Sequence, residues 1–175
     1  ADDHELILRG ITTFVKQKFA VGKIAAFTTP EDVVEDIREN SYDIYLLDLE
    51  YKGMSGFDLI KTIRKKYAEA KITVCTMHEE IWNINRMLDL KVNGIILKKS
   101  SEKHLEEAIV SVMNDDYFMC PRFEHLTSLS STYRNNSENR NTLLTQTERV
   151  VLKLIMEGNT SKEIAEKLFV TENAI

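Results

Sequence analysis

The sequence predicts an α/β fold, a doubly wound parallel sheet, followed by a small all-α domain. Short β-rich runs recur at Lys23 to Phe27, Asp43 to Asp48, Lys71 to Thr76 and Asn93 to Lys98. Each is separated from the next by a segment of helical periodicity, and strands that alternate with helices form a parallel sheet covered on both faces. From Leu143 onward only helical signals remain.

The elements follow in order. Leu6, Ile7, Ile11, Phe14 and Val15 recur at three- and four-residue spacings and mark a first helix. Asp2 and Asp3 stand directly ahead of it; Ala1 is no initiator, and a first strand before it is expected to be missing from the chain. Pro30 starts a second helix, because its fixed φ suits the first turn. Leu59, Ile60 and Ile63 place a third, whose basic run Arg64-Lys65-Lys66 is expected on a solvated face; Leu105, Ile109 and Val112 mark another.

After Pro121 the pattern changes. Residues 128–142 (SLSSTYRNNSENRNT) hold four serines and four asparagines and almost nothing to bury, which reads as a linker between a domain at 1–127 and a second at 143–175. In the second, Val151, Leu154 and Ile155 share a helical face, Gly158 is a stop, and Thr160 with Glu163 forms a capping box for a helix bearing Ile164, Ala165 and Leu168. Thr171 can cap a third helix that the sequence cuts short at Ile175.

Composition bounds the function. The chain has 175 residues, 43% of them apolar and 29% charged, enough for one good core and a second small one. No apolar run approaches the roughly 20 residues of a membrane helix. No targeting segment is visible, so a cytoplasmic protein without a membrane partner is expected. Cys75 and Cys120 sit in apolar surroundings without metal-ligand spacing and are expected to be core thiols in a reducing compartment. The net charge of −5 speaks against nucleic acid as a partner. Residues 143–175 do not relieve that, with four basic residues against five acidic ones.

In an open parallel sheet, ligands bind outside the carboxyl ends of the strands. That rule singles out Asp48, Thr76 and Lys98 at three strand ends, and Asp2 and Asp3 after the missing strand. Singly, each has a bland explanation: Asp2 with Glu5 as a helix cap, Asp48 as a turn cap, Thr76 as a strand former, Lys98 as a surface lysine. Together at one edge they suit phosphoryl transfer. A carboxylate can accept a phosphoryl group as an acyl phosphate if the charge on its equatorial oxygens is neutralised. Two further carboxylates suit Mg²⁺, Lys98 supplies a positive charge, and the Thr76 hydroxyl can donate to a phosphoryl oxygen.

These residues carry a resemblance. Residues 1–127 resemble the flavodoxin-like receiver domains of two-component response regulators, through ADDH at Ala1 to His4, YLLDLEYKGMSG at Tyr45 to Gly56, VCT at Val74 to Thr76 and GIILKK at Gly94 to Lys99. Residues 143–175 resemble the LuxR-type helix-turn-helix, truncated in its recognition helix, so the whole is similar to the NarL/FixJ-like subfamily that joins the two. The resemblance implies that Asp48 is a phosphoacceptor served by a sensor histidine kinase, and that phosphorylation controls binding to double-stranded DNA and hence transcription. It implies no metabolic enzyme, although autodephosphorylation is compatible with it, and it admits a homodimer. It makes Asp3 a direct Mg²⁺ ligand, Asp2 a ligand through water, Asp48 itself and the Glu50 main-chain carbonyl further ligands, and Lys98 and Thr76 the pair that senses the phosphoryl group. Thr160, Ser161 and Lys162 at a helix start, with Thr171 and Asn173, are the expected DNA contacts.

The chain also departs from the family. Tyr51-Lys52 replaces the usual Met-Pro, Met77 replaces a small residue after the threonine and is expected to narrow access, and Ile95 replaces the aromatic that changes rotamer. Glu50 and His78 flank the mouth of the site and are expected to be ordinary exposed side chains rather than a pair. Two other readings remain at this point: an atypical receiver that works by protein contact without phosphorylation, and an aspartyl-nucleophile phosphohydrolase, whose usual second aspartate two residues on is Glu50 here.

Overall fold

The computed structural model describes residues 1–128, 151, 154–155 and 159–168. The chain divides into two compact units, Ala1–Ser131 and Thr132–Ile175.

In the first unit β1 (Tyr45–Leu47), β2 (Ile72–Thr76), β3 (Gly94–Leu97) and β4 (Phe118–Met119) lie in that order, all parallel. The helices are α1 (Glu5–Lys18), α2 (Pro30–Asp36), α3 (Gly56–Lys66), α4 (Ile81–Asp89) and α5 (Glu102–Met113), and residues 121–128 are helical again. Every residue of β2 and of β3 is buried. Successive strand residues point to opposite faces, so both faces of the sheet are covered. Leu59, Ile60 and Ile63 of α3, Ile84 and Met87 of α4, and Ala108 and Val112 of α5 supply the cover, each buried.

Three of the four predicted strands form. The segment from Lys23 to Phe27 does not, since a strand needs a ladder and the backbone bond recorded along it is a single one, from the Asp2 N–H to the Phe27 carbonyl at 3.1 Å. On its other side Ala1 bonds to β1: its nitrogen donates to the Leu46 carbonyl at 2.6 Å and its carbonyl accepts the Asp48 N–H at 3.1 Å. Ala1 and Asp2 therefore stand between the two segments, bonding alternately as neighbouring strand residues do. The unpredicted β4 pairs Phe118 with Gly94 and Met119 with Ile95, and two residues are too few for an alternation to show.

The helix starts are set locally. The hydroxyls of Thr29, Ser55 and Ser101 accept the backbone N–H groups of Asp32, Asp58 and His104 at 3.2, 3.3 and 3.4 Å. Pro30 is the first residue of α2, as its position in the sequence predicts. The apolar residues of α1 bury less than their spacing suggests: only Phe14 is fully buried, and Leu6 is 84% exposed. In the basic run at the end of α3 Lys65 and Lys66 are exposed, as the solvated-face expectation has it, and Arg64 alone of the three departs from it. Arg64 is half-buried and donates to the carbonyls of Ala68 and Lys91 and to Asn93 Oδ1, and Lys66 donates to the Arg38 carbonyl. The guanidinium thus ties the end of α3 to the turn before β3, which charge alone does not foretell. Cys75 and Cys120 are free and buried as expected.

In the second unit the helix Ser161–Leu168 starts at the predicted capping box. The Thr160 N–H and hydroxyl donate to Glu163 Oε2 at 2.7 and 2.8 Å, and the Glu163 N–H returns to Thr160 Oγ1 at 3.4 Å. Ile164 and Ala165 are buried, Val151 and Leu154 half-buried and Ile155 exposed. The expected linker from residue 129 onward, the stop at Gly158 and the helix from Thr171 lie outside the described residues.

One glycine bears directly on where the site forms. A Cβ on Gly56 would lie 2.4 Å from the Asp48 carbonyl oxygen and 2.5 Å from Leu49 Cα, so only glycine lets α3 start against this backbone. Gly10 in α1 has nothing within 4 Å. Gly56→Ala should therefore destabilise the protein by about 2–4 kcal/mol, while Gly10→Ala should stabilise it by about 0.5–1 kcal/mol. Urea unfolding midpoints of the two variants against wild type check both signs.

Candidate functional site

The parallel order brings the ends of β1, β2 and β3 to one edge. Leu47 pairs with Val74 and Thr76 with Leu97, so Asp48, Thr76 and Lys98 all fall where the ladder ends. The Lys98 N–H donates to the Thr76 carbonyl at 2.9 Å, fixing those two residues to each other through main chain. Ala1 delivers Asp2 and Asp3 to the same edge through its bonds to Leu46 and Asp48.

At the centre is the Lys98 ammonium. It donates to Asp48 Oδ2 at 2.6 Å and lies 2.8 Å from Asp2 Oδ2, and all three side chains are 2–3% exposed. The other Asp48 oxygen accepts the Leu49 N–H at 2.7 Å, so the carboxylate is oriented from both sides. Burial pushes the Asp48 carboxyl above the ordinary carboxylate range, against the opposing pull of the hydrogen bond and charge of Lys98. Lys98 sits above its usual range: burial would lower it, but its hydrogen bonds to Asp2 and Asp48 outweigh that.

Two buried carboxylates share one ammonium, and Asp3 adds a third negative charge. Asp2 Oδ2 and Asp3 Oδ1 are buried, and each has a single close partner, the Lys98 ammonium and His4 Nδ1 respectively, both at 2.8 Å. Ligand atoms of Asp2, Asp3, His4 and Asp48 all lie within 4.8 Å of one another. Opposite ligands of an octahedral Mg²⁺ stand about 4.2 Å apart, so the aspartate oxygens fit a hard divalent ion with one of them acting through water. The two buried oxygens, each with one close partner, and the excess of carboxylates over the ammonium are what such an ion would satisfy. The Glu50 side chain takes no part in this cluster, which leaves its main-chain carbonyl as the group to consider.

Thr76 is fully buried, and its Oγ1 accepts the His78 N–H at 3.0 Å. Glu50 and His78 are not the independent exposed side chains expected. His78 Nε2 lies 2.6 Å from Glu50 Oε1, and Nδ1 lies 3.1 Å from Glu80 Oε2. The parallel register sets the loops after β1 and β2 side by side, so Glu50 and His78 meet. The hydrogen bond with Glu50 raises the His78 imidazole above its ordinary range against a small effect of burial, with the Glu50 and Glu80 charges adding to it. Met77, beside it, is 53% exposed.

Sequence reasoning missed two residues. His4 completes the acidic cluster, and its signal was its place next to Asp2-Asp3. Tyr51 was noticed only as a departure; its hydroxyl donates to the Ala1 carbonyl at 2.9 Å and accepts the Asp48 N–H at 3.1 Å, bracing the Asp48 backbone. Burial holds that phenol well above its ordinary range. In the second unit Thr160, Ser161 and Lys162 are exposed at the start of their helix, and Thr171 and Asn173 lie outside the described residues.

Comparison with known proteins gives two family matches, the response regulator receiver domain over residues 1–110 and the bacterial regulatory proteins of the luxR family over residues 142–175. The chain is 28% identical over 174 residues to a nitrate/nitrite response regulator protein homolog of Haemophilus influenzae, covering 99% of this chain and 82% of that one. It is 29% identical to the transcriptional regulatory protein LiaR of Bacillus subtilis, covering 97% and 81%. Among solved structures it is similar to RcsB from Salmonella enterica serovar Typhimurium bound to promoter rprA in the presence of the phosphomimetic BeF3-, with a TM-score of 0.81, 25% identity and coverage of 99% and 83%.

If Asp3 carries a direct share of a bound Mg²⁺, Asp3→Ala should weaken Mg²⁺ binding by about tenfold or more, because too little negative charge then offsets the ion's dehydration. Calorimetric titration of both proteins with MgCl₂ at constant ionic strength checks it; equal affinities contradict the assignment.

Proposed function

Because the chain belongs to the response regulators that join a receiver domain to a LuxR-type DNA-binding domain, we propose that Asp48 accepts a phosphoryl group from a sensor histidine kinase and that its phosphorylation controls DNA binding and transcription. Residues 1–127 are then the receiver, 128–142 the linker and 143–175 the DNA-binding part. The observation that carries the reading is the buried Lys98 ammonium held between Asp48 and Asp2 at 2.6 and 2.8 Å. Such a cluster costs desolvation that a surface lysine avoids, and it places a cation where phosphoryl charge has to be neutralised.

The step is simple. An Asp48 oxygen forms a bond to phosphorus while the donor's bond to phosphorus breaks, and the leaving group departs with that electron pair. Lys98 moves from carboxylate to phosphoryl oxygen, a shift its flexible stem permits. The buried Thr76 hydroxyl donates to a second oxygen, and Tyr51 with the Leu49 N–H keeps the acceptor oriented. Asp2, Asp3, Asp48 and the Glu50 carbonyl would hold Mg²⁺, which supplies positive charge to the transferring group. Autodephosphorylation is the reverse cleavage by water, with Asp48 leaving as a carboxylate.

The fifteen polar residues 128–142 separate the two parts in the sequence, and an interaction that differs by a few kcal/mol between the phosphorylated and unphosphorylated states suffices to switch a population. Ile95 is fully buried in β3 and has no aromatic ring to turn, so the shift is assigned to Thr76 and the loop of Met77 and His78 bonded to it. Thr160, Ser161 and Lys162 at a helix start, with Thr171 and Asn173, are the proposed DNA contacts. RcsB, which this chain resembles in structure, binds DNA as dimers, and by that analogy a homodimer on double-stranded DNA is the proposed active form. Among the described residues no helix is long and apolar enough to cross a membrane; a cytoplasmic site of action fits the reading.

Wild type incubated with acetyl phosphate and Mg²⁺ should gain one phosphoryl mass, and Asp48→Asn should gain none. Intact-mass spectrometry reads both, and label on the Asn variant refutes the assignment.

A further inference from the structure

A second charge cluster stands apart from the acidic one, and it reaches the far end of the first unit. Glu79 divides its carboxylate between two cations: Oε1 lies 2.5 Å from Lys99 Nζ, and Oε2 accepts the Arg122 Nε–H at 2.6 Å. Lys99 follows Lys98 in the chain, and Glu79 is three residues after Thr76, so one carboxylate gathers both strand ends. The Glu79 side chain is 23% exposed, against 60% for Lys99 and 55% for Arg122. A half-sheltered carboxylate shared by two cations is a network, which counts for more than an isolated surface pair.

Arg122 is the member that leads elsewhere. It is the second residue of the helix at 121–128, with which the described part of the first unit ends. Phe123 and Cys120, 0% and 1% exposed, seat that helix in the core, and the Cys120 N–H donates to the Ile95 carbonyl of β3 at 3.0 Å. Among the described residues Arg122 alone of this helix forms an ion pair. In the proposed function Thr76 and Lys98 both turn toward the phosphoryl group. The His78 N–H, bonded to Thr76 Oγ1 at 3.0 Å, draws the following loop with it. Lys99 can follow that shift because it adjoins Lys98, but Arg122 cannot, because Phe123 holds its helix in the core. Resting on the reading that Asp48 is the phosphoacceptor, we propose that Arg122 is a coupling residue: phosphorylation opens its ion pair with Glu79 and loosens helix 121–128.

The rival account is a static brace that holds the helix equally in both states. Hydrogen exchange of peptides covering residues 118–128 in the full chain, with and without acetyl phosphate and Mg²⁺, separates the two, and intact mass of each sample gives the labelled fraction. Phosphorylation of wild type should speed exchange of these amides about three- to fivefold, the scale of one surface ion network. Arg122→Ala should exchange that much faster without any label and gain nothing further from it, while taking label at the wild-type rate. Arg122→Lys keeps the charge and should keep part of the response. Peptides from β2 and β3 that exchange as in wild type show that both variants are folded. Equal responses of wild type and Arg122→Ala to phosphorylation, or no response in fully labelled wild type, overturn the proposal. A wild type that takes no label overturns the phosphoacceptor reading instead.

Discussion

The bond on which the site depends is that of one buried ammonium, Lys98, to two buried carboxylates, Asp48 and Asp2. Removing the ammonium from such a set costs about 3–5 kcal/mol, because uncompensated carboxylate charge is left in a poorly solvated place. Even complete, the set is unbalanced: Asp2, Asp3 and Asp48 outnumber the ammonium. On the proposed function this edge would take up a divalent ion, and an arriving phosphoryl group would meet cations already in place, the kind of preorganisation that makes electrostatic stabilisation effective.

The rest of the first unit serves that edge. Parallel strands in simple order deliver their carboxyl ends to one side, and β2 and β3, buried throughout, give those ends little freedom. Gly56 lets the start of α3 press against Asp48 and Leu49, Tyr51 braces the acceptor N–H, and the Lys98 N–H bonds the end of β2. The loop after β2 is the most connected part of the border. Within it His78 meets Thr76, Glu50 and Glu80, and Glu79 meets Lys99 and Arg122. A change at Thr76 therefore reaches side chains well away from Asp48.

Much of this was legible in the sequence, for identifiable reasons. Alternation of β-rich and helical segments gave three strands and the class of fold, and the rule for strand ends in parallel sheets found Asp48, Thr76 and Lys98 without any coordinates. The capping box at Thr160 and Glu163 was readable because it is local. What was not legible depends on partners distant in sequence. Lys23 to Phe27 has strand composition but gains a single backbone bond from Asp2, and β4 exists only because β3 offers it an edge. Arg64 looked like a surface charge until the turn at Lys91 supplied carbonyls for it. The Glu50–His78 pair and the two hydrogen bonds of the Tyr51 hydroxyl follow from the approach of two loops and of Ala1, which no spacing encodes.

The charge pattern supports the proposal that Asp48 is the carboxylate that reacts. It faces both the ammonium of Lys98 and the acidic pair, and one of its oxygens accepts the Leu49 N–H. An acyl phosphate on an aspartate is reduced by borohydride to homoserine, which marks the position permanently. The wild-type chain, phosphorylated with acetyl phosphate and Mg²⁺, reduced and sequenced by tandem mass spectrometry, should carry homoserine at position 48 alone; homoserine at Asp2 or Asp3, or label that resists borohydride, would contradict the account.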